Sequence, residues 1–200
     1  STALISSQAS LGTTPENKLK KLKRSLIAKP LLRFIETHSP ISAIIAENIQ
    51  LQTKNELKYF DGFWSSSLTD ATKMGKPDIE ALDISERLNN INNIFEVTTK
   101  PLIMDIDTGG KIEHLKLNVK SMERLGISAI IMEDKTGLKK NSLLGKGTVQ
   151  TQEDIKIFCD KIEAANTNKI NKEFMLIARI ESLILKKGMK LQTGISGTQV

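Results

Sequence analysis

Pro101-Leu-Ile-Met-Asp105 is a short apolar run that ends in a carboxylate, and Ile106-Asp-Thr-Gly-Gly110 follows it as a polar, glycine-containing loop. Leu115, Val119, Met122 and Leu125 come next at three- and four-residue spacing, the apolar stripe of an amphipathic helix. Ser128-Ala-Ile-Ile-Met132 then repeats the apolar run, and Glu133-Asp-Lys135 repeats the polar end. Strand, polar loop, helix and strand in that order is the unit from which parallel α/β sheets are built.

The same alternation extends in both directions. Residues 33–36, 59–64, 101–105, 128–132 and 174–178 read as five strands, and 79–97, 115–125 and 151–165 as helices between them. Ile84, Leu88, Ile91 and Phe95 form the stripe of the first helix, and Ile155, Phe158, Cys159 and Ile162 that of the third, which puts Cys159 in the core rather than in a reactive site. The stretch 50–58 lengthens the connection before the second strand and reads as a surface loop. The class is α/β, and 200 residues fall short of the roughly 250 of a full eight-fold (β/α) barrel.

Composition narrows the function classes. A hydrophobic share of 39% with a charged share of 26% describes a globular chain, not a disordered one. No run reaches the roughly 20 apolar residues of a membrane span, so no membrane role is expected. One cysteine excludes an intrachain disulfide framework or a cysteine zinc cluster and fits a reducing compartment, with the cytoplasm as the default. The net charge of +6 is concentrated near the start, where Lys18-Leu-Lys-Lys-Leu-Lys-Arg24 lacks aromatic residues to stack on bases. It reads as a solvated entry helix within a flexible basic segment, 1–29, and nucleic acid is not expected as a partner. The Ser/Thr-rich, acid-poor residues 1–14 also suit the remnant of an organelle transit peptide.

Polar residues gather where the strands end: Trp64-Ser-Ser-Ser67, Asp105 to Gly110, Glu133-Asp-Lys135 and Arg179-Ile-Glu181. Parallel α/β folds place their chemistry there, because loops at the carboxyl ends of strands project into one shared site. Asp105 and Asp107, one residue apart at an extended strand end, are expected to point the same way. With Glu133 they make an all-oxygen cluster of the kind that suits Mg2+. Lys135, Lys139, Lys140 and Arg179 bring positive charge to the same face, as an anionic substrate bridged to a cation requires. Residues 135–147 are polar and glycine-containing, in the manner of a lid that closes over a reactive group. His114 is expected to face solvent, and His38 to close the first strand.

Trp64-Ser-Ser-Ser-Leu68, Gly75-Lys-Pro-Asp78, Asp105-Ile-Asp-Thr-Gly109, Glu133-Asp-Lys135, Lys139-Lys-Asn-Ser142 and Ala178-Arg-Ile-Glu181, in this order and spacing, resemble the phosphoenolpyruvate mutase family of the isocitrate lyase superfamily. The resemblance runs from about residue 30 to residue 189. It implies a TIM-type (β/α) barrel, Mg2+ as cofactor, and interconversion of phosphoenolpyruvate and phosphonopyruvate by intramolecular phosphoryl transfer. It also implies roles. Asp78 resembles the catalytic aspartate that accepts or steadies the phosphoryl group. Asp105 looks like the direct Mg2+ ligand, with Asp107 and Glu133 acting through bound water. Ser66 and the backbone near Leu68 match the carboxylate pocket and Trp64 its wall. Arg179 matches a cationic clamp, and Lys139 and Asn141 match gating-loop groups that reach the phosphoryl unit.

The lyase branch of the superfamily carries a cysteine in that loop, where this chain reads Lys139-Lys140-Asn141, which argues against a lyase. Phosphonopyruvate hydrolase shares the metal site and substrate and stays open as an alternative. The family pattern continues through three more β/α units, whereas this sequence runs into an atypical tail at 190–200. The expectation is therefore a partial barrel over 30–189, with about five of eight units, either active or an inactive fragment serving at most in association. A complete barrel of this family implies a homo-oligomer.

Overall fold

The structure, a computed structural model, describes residues 13–136 and 151–181. Helix α1 spans Pro15–Ala28; Thr14 caps it by accepting a hydrogen bond from Asn17, and proline at the first position costs no intrahelical bond. Strand β1, Phe34–Glu36, leads to α2, Pro40–Asn48, which opens on a reciprocal Ser39–Ser42 capping box. Strands β2, Gln50–Gln52, and β3, Leu57–Tyr59, precede β4, Gly62–Ser65. Helix α3 is Ser67–Lys73, α4 is Ile84–Glu96, β5 is Leu102–Asp105 and α5 is Ile112–Leu125. Then follow β6, Ala129–Glu133; β7, Lys135–Thr136; β8, Thr151–Gln152; α6, Ile155–Asn168; and β9, Met175–Arg179.

Five strands form one sheet in the order β1-β4-β5-β6-β9, every neighbouring pair parallel. Parallel strands laid down in chain order, with helices between them, are the wall of a TIM-type barrel. Side chains alternate across it. Phe63, Leu102, Met104, Ile130 and Met132 face the helices and pack with Ile91, Ile94, Leu115, Val119 and Phe158. Phe34, Trp64, Ile103, Ile131 and Ile177 lie on the inner face.

Four sequence expectations are corrected. Residues 15–28 are not a flexible or wholly solvated segment, because Leu19 and Leu22 bury their side chains against the sheet and fix the helix there. Leu22 alone is worth about 1.5–3 kcal/mol of burial. The stretch 50–58 is a hairpin, β2 against β3, rather than a loop. The second strand does not run through from 59. It restarts at Gly62, whose missing side chain admits the Phe34 ring and the Pro101 carbonyl; a Cβ there would stand 2.2 and 2.7 Å from them. Cys159 is exposed: α6 turns Phe158, Lys161, Ala164 and Ala165 inward, and Cys159 lies about 100° round the helix from Phe158, away from that face.

Helix α1 closes the amino-terminal end of the sheet. The Lys18 ammonium donates to the Thr98 carbonyl at 2.6 Å, the Ser128 hydroxyl donates to the Lys18 carbonyl at 2.8 Å, and Lys23 pairs with Glu173 at 3.5 Å. These partners precede β5, β6 and β9. Lys18 is 2% exposed and lies 4.0 Å from the centre of the Phe95 ring. Burial pushes its ammonium down from 10.5 to about 8, with Glu47 opposing the shift and Lys21 adding to it.

Below about pH 8 that ammonium is charged in the folded and unfolded chains alike, and the folded state bears the cost of burying it. Between about 8 and 10.5 the unfolded chain holds the extra proton, so Lys18 makes stability rise with pH across that window. Lys18→Met is expected to flatten the rise by up to about 3 kcal/mol in urea unfolding compared at the two ends of the window. An unchanged slope would contradict the assignment. No helix among the described residues is long and apolar enough to cross a membrane.

Candidate active site

The carboxyl ends of the strands converge as the polar pattern requires. Strand β6 delivers Glu133, 2% exposed, and β9 sets Arg179 directly beside it in register. The guanidinium stands 3.5 Å from the Glu133 carboxylate and donates through Nε to Glu181. Lys135, also 2% exposed, lies 3.3 Å from Glu133 and 3.6 Å from Glu181. Burial works against the Arg179 charge, but Glu133, Glu181 and Asp105 outweigh it and raise the guanidinium above its ordinary range. Asp134 braces the rim by accepting from the Glu181 backbone N–H at 2.8 Å and from Gln152.

Asp105 ends β5. One of its carboxylate oxygens accepts the Asp107 N–H at 2.9 Å, and the other lies 3.5 Å from the Ser67 hydroxyl. Asp107 is not an extended residue: its φ is +55°, and its carbonyl accepts the Glu133 N–H at 2.8 Å. Strand alternation therefore does not orient the two aspartates. A turn past the end of the strand does, folding the chain back over β6.

Gly109 makes that turn possible. Its φ is +75°, and a Cβ would stand 2.4 Å from the Met132 sulfur. Gly109→Ala is expected to destabilise the fold by about 1–3 kcal/mol and to weaken divalent-metal binding by moving Asp107. Thermal unfolding and Mn2+ titration check the two effects, and a neutral substitution would contradict the close packing.

The remaining sequence-derived residues distribute as follows. Trp64 lies half-buried on the inner face of β4. Ser66 is buried and caps α3 by accepting from Thr69, and Leu68 is half-buried in the first turn of that helix. Asp78 is half-buried in the turn after α3. That turn reaches the β5 loop through Glu80, itself at φ +59°, whose carboxylate accepts the Thr108 N–H at 3.0 Å. A cavity of about 300 Å3 opens there between Glu80, Asp107, Gly109, Lys111 and His114, which is exposed at its edge. Lys139, Lys140 and Asn141 lie outside the described residues.

A divalent cation fits this rim by donor chemistry. Asp105, Asp107, Glu133, Asp134 and Glu181 are all buried here, and Lys135 and Arg179 stand among them as cations. The Glu181 Oε2 atom is buried, with the Lys135 ammonium 3.6 Å away and no hydrogen bond. Buried carboxylate oxygens are the donor type that suits a hard cation. The three-carboxylate cage is nonetheless not assembled: among the described residues, no group of three acidic, His or Cys side chains stands ready to enclose an ion. Glu133 is drawn to Lys135 and Arg179 instead. One direct ligand with the others reached through water suits Mg2+, which gives up its hydration reluctantly.

Sequence reasoning missed Arg87, Asp70 and Lys161. Arg87, 3% exposed, is bound to Asp70 at 2.9 Å. Its signal was legible, since position 87 falls on the same helical face as Ile84 and Ile91, and a cation on an apolar stripe needs a buried carboxylate. Lys161 ties α6 to the site by donating to the Thr108 carbonyl at 3.2 Å and to Glu153 at 3.3 Å.

Residues 20–199 match the family model of phosphoenolpyruvate phosphomutase. A phosphonopyruvate hydrolase from Variovorax sp. (strain Pal2) is 34% identical over 176 residues, which cover 86% of this chain and 57% of that protein. The crystal structure of a phosphoenolpyruvate phosphomutase from Streptomyces platensis subsp. rosaceus superposes with a TM-score of 0.74 at 31% identity, over 92% of this chain and 58% of the other. A phosphonopyruvate hydrolase solved with oxalate and Mg2+ superposes with a TM-score of 0.75 at 30% identity, over 92% and 59%. The chain thus spans a little over half the length of these relatives. Its parallel sheet, the acidic rim at the strand ends and the matched residues agree: the chain belongs to the phosphoenolpyruvate phosphomutase family within the isocitrate lyase superfamily.

Proposed function

We propose that this chain is a phosphoenolpyruvate mutase, moving a phosphoryl group between the enol oxygen of phosphoenolpyruvate and the methylene carbon of phosphonopyruvate. The observation that carries the reading is the rim itself. Buried carboxylates stand beside Arg179 and Lys135, an arrangement that suits a cation and an anionic substrate together. Asp105 would hold Mg2+ directly, with Asp107 and Glu133 acting through water. When bound, the ion supplies Lewis-acid stabilisation of the enolate and carboxylate oxygens.

Arg179 clamps substrate oxygens, while Ser66 and the Leu68 backbone hold the carboxylate against Trp64. Asp78 accepts or steadies the phosphoryl group as the C–P or O–P bond breaks and the other forms, while Lys139 offsets the charge of its oxygens and Asn141 donates hydrogen bonds to them. Such a loose transition state asks mainly for positioning and charge. The substrate is then a small molecule that carries both a carboxylate and a phosphoryl group, and the assembly of the whole protein a homo-oligomer.

A second reading is phosphonopyruvate hydrolase, which the 34% identity to the Variovorax protein favours. The two differ in whether water reaches the phosphoryl group. Phosphorus NMR of the protein with phosphonopyruvate and Mg2+ separates them. Phosphoenolpyruvate as product supports the mutase, inorganic phosphate moves the assignment to the hydrolase, and an unchanged spectrum overturns both.

A further inference from the structure

The Arg87 guanidinium is buried behind the site, and all three of its nitrogens donate. Nε donates to Asp70 Oδ2 at 2.9 Å, Nη1 to the Asp105 carbonyl at 2.6 Å, and Nη2 to the Ser65 carbonyl and hydroxyl at 3.2 Å each. The Ser65 hydroxyl closes the network by donating to Asp70 Oδ2 at 2.8 Å. Both charged residues are 3% exposed. One planar cation therefore joins the last residues of β4 and β5 to helices α3 and α4. Its shortest bond falls on the backbone of Asp105, the residue whose carboxylate faces the rim.

We infer that Arg87, neutralised by Asp70, is the positioning residue for the Asp105 carboxylate. This rests on the reading of Asp105 as the direct metal ligand. A buried ion pair serving stability alone needs no contact with a strand-end carbonyl. Here two of the three donating nitrogens are spent on the carbonyls of Ser65 and Asp105, which lie on adjacent strands at the site. The fork geometry is what makes this possible: a guanidinium presents fixed donors in one plane, whereas an ammonium is a point charge on a flexible stem. Holding the Asp105 backbone fixes where its side chain begins, and the Asp107 N–H on Oδ1 then fixes how it turns. Groups that orient a metal ligand in this way usually carry a 10- to 100-fold share of affinity.

The test compares Arg87→Lys with the intact protein, reading Mn2+ affinity by electron paramagnetic resonance and stability by urea unfolding. Lysine keeps the charge opposite Asp70 but cannot serve both carbonyls. The inference predicts a Mn2+ dissociation constant raised about 10- to 100-fold in protein whose circular dichroism shows it folded. Asp70→Asn is the second variant: its carbonyl can stay on Arg87 Nε while the amide takes the place of Oδ1, which has no hydrogen-bond partner, and the guanidinium loses its counter-charge. If Arg87→Lys does not fold, Asp70→Asn decides, with a smaller rise in the same direction expected. Mn2+ affinity within about twofold of the intact protein, with stability alone reduced, would make the pair structural and overturn the inference. Asp105→Asn is the control: if it leaves Mn2+ binding unchanged, or if the intact protein binds none, the reading of Asp105 fails and takes the inference with it.

Discussion

Asp78→Ala is expected to cut turnover of phosphonopyruvate by about 10³-fold or more, a loss of roughly 4 kcal/mol of transition-state stabilisation. The protein should stay folded and still bind Mg2+. Asp78 sits half-buried in a turn, outside every helix and strand, so its loss should cost less than about 1 kcal/mol of stability. It is also carried by a different segment from Asp105, Asp107 and Glu133, the carboxylates proposed to hold the metal, which come from β5, the turn after it, and β6. Chemistry and metal affinity should therefore separate. Initial rates by phosphorus NMR, with metal titration and a thermal melt on the same sample, check this. A variant that loses metal binding and turnover equally would place Asp78 in the metal site and contradict its role in phosphoryl transfer.

The second large effect is on stability. Arg87→Met is expected to destabilise the fold by about 3–5 kcal/mol, the cost of leaving the buried Asp70 carboxylate unpaired. That is a large part of the roughly 5–15 kcal/mol that holds a domain together. The double variant Asp70→Leu with Arg87→Met should recover much of the loss, since removing both partners avoids the stranded charge. Urea unfolding of the two single variants and the double gives the coupling. A loss below about 1 kcal/mol for Arg87→Met would mean that the pair is solvated in solution and not buried as described.

The sheet was legible because its signal is periodic. Each of the five predicted strands overlaps an observed one, and residues 101–135 alone contain the strand, loop, helix and strand that set the rest. Glu133 and Arg179 could be placed on one face from alternation, and the register confirms them as neighbours. Alternation failed two residues beyond the strand, at Asp107, because left-handed backbone carries no periodic signal and only the following glycines hint at a turn. The hairpin at 50–59 escaped for a related reason: strands of three residues with mostly exposed side chains have no apolar alternation to detect. Cys159 was misplaced because apolar residues at 155, 157, 158, 159 and 162 lie on several sides of the helix, so the stripe could be centred wrongly; the face that packs is the one bearing Phe158, Lys161 and Ala165, and Ile155 and Ile157 stay exposed.

Isothermal titration with oxalate, a planar dianion with the shape of the pyruvate enolate, tests the central claim most directly, in the presence and absence of Mg2+. The account predicts one oxalate site that appears only with Mg2+ and is lost in Asp105→Asn. Oxalate binding of equal strength without the metal, or binding that survives Asp105→Asn, would contradict the assignment of the strand-end rim as a Mg2+-dependent substrate site.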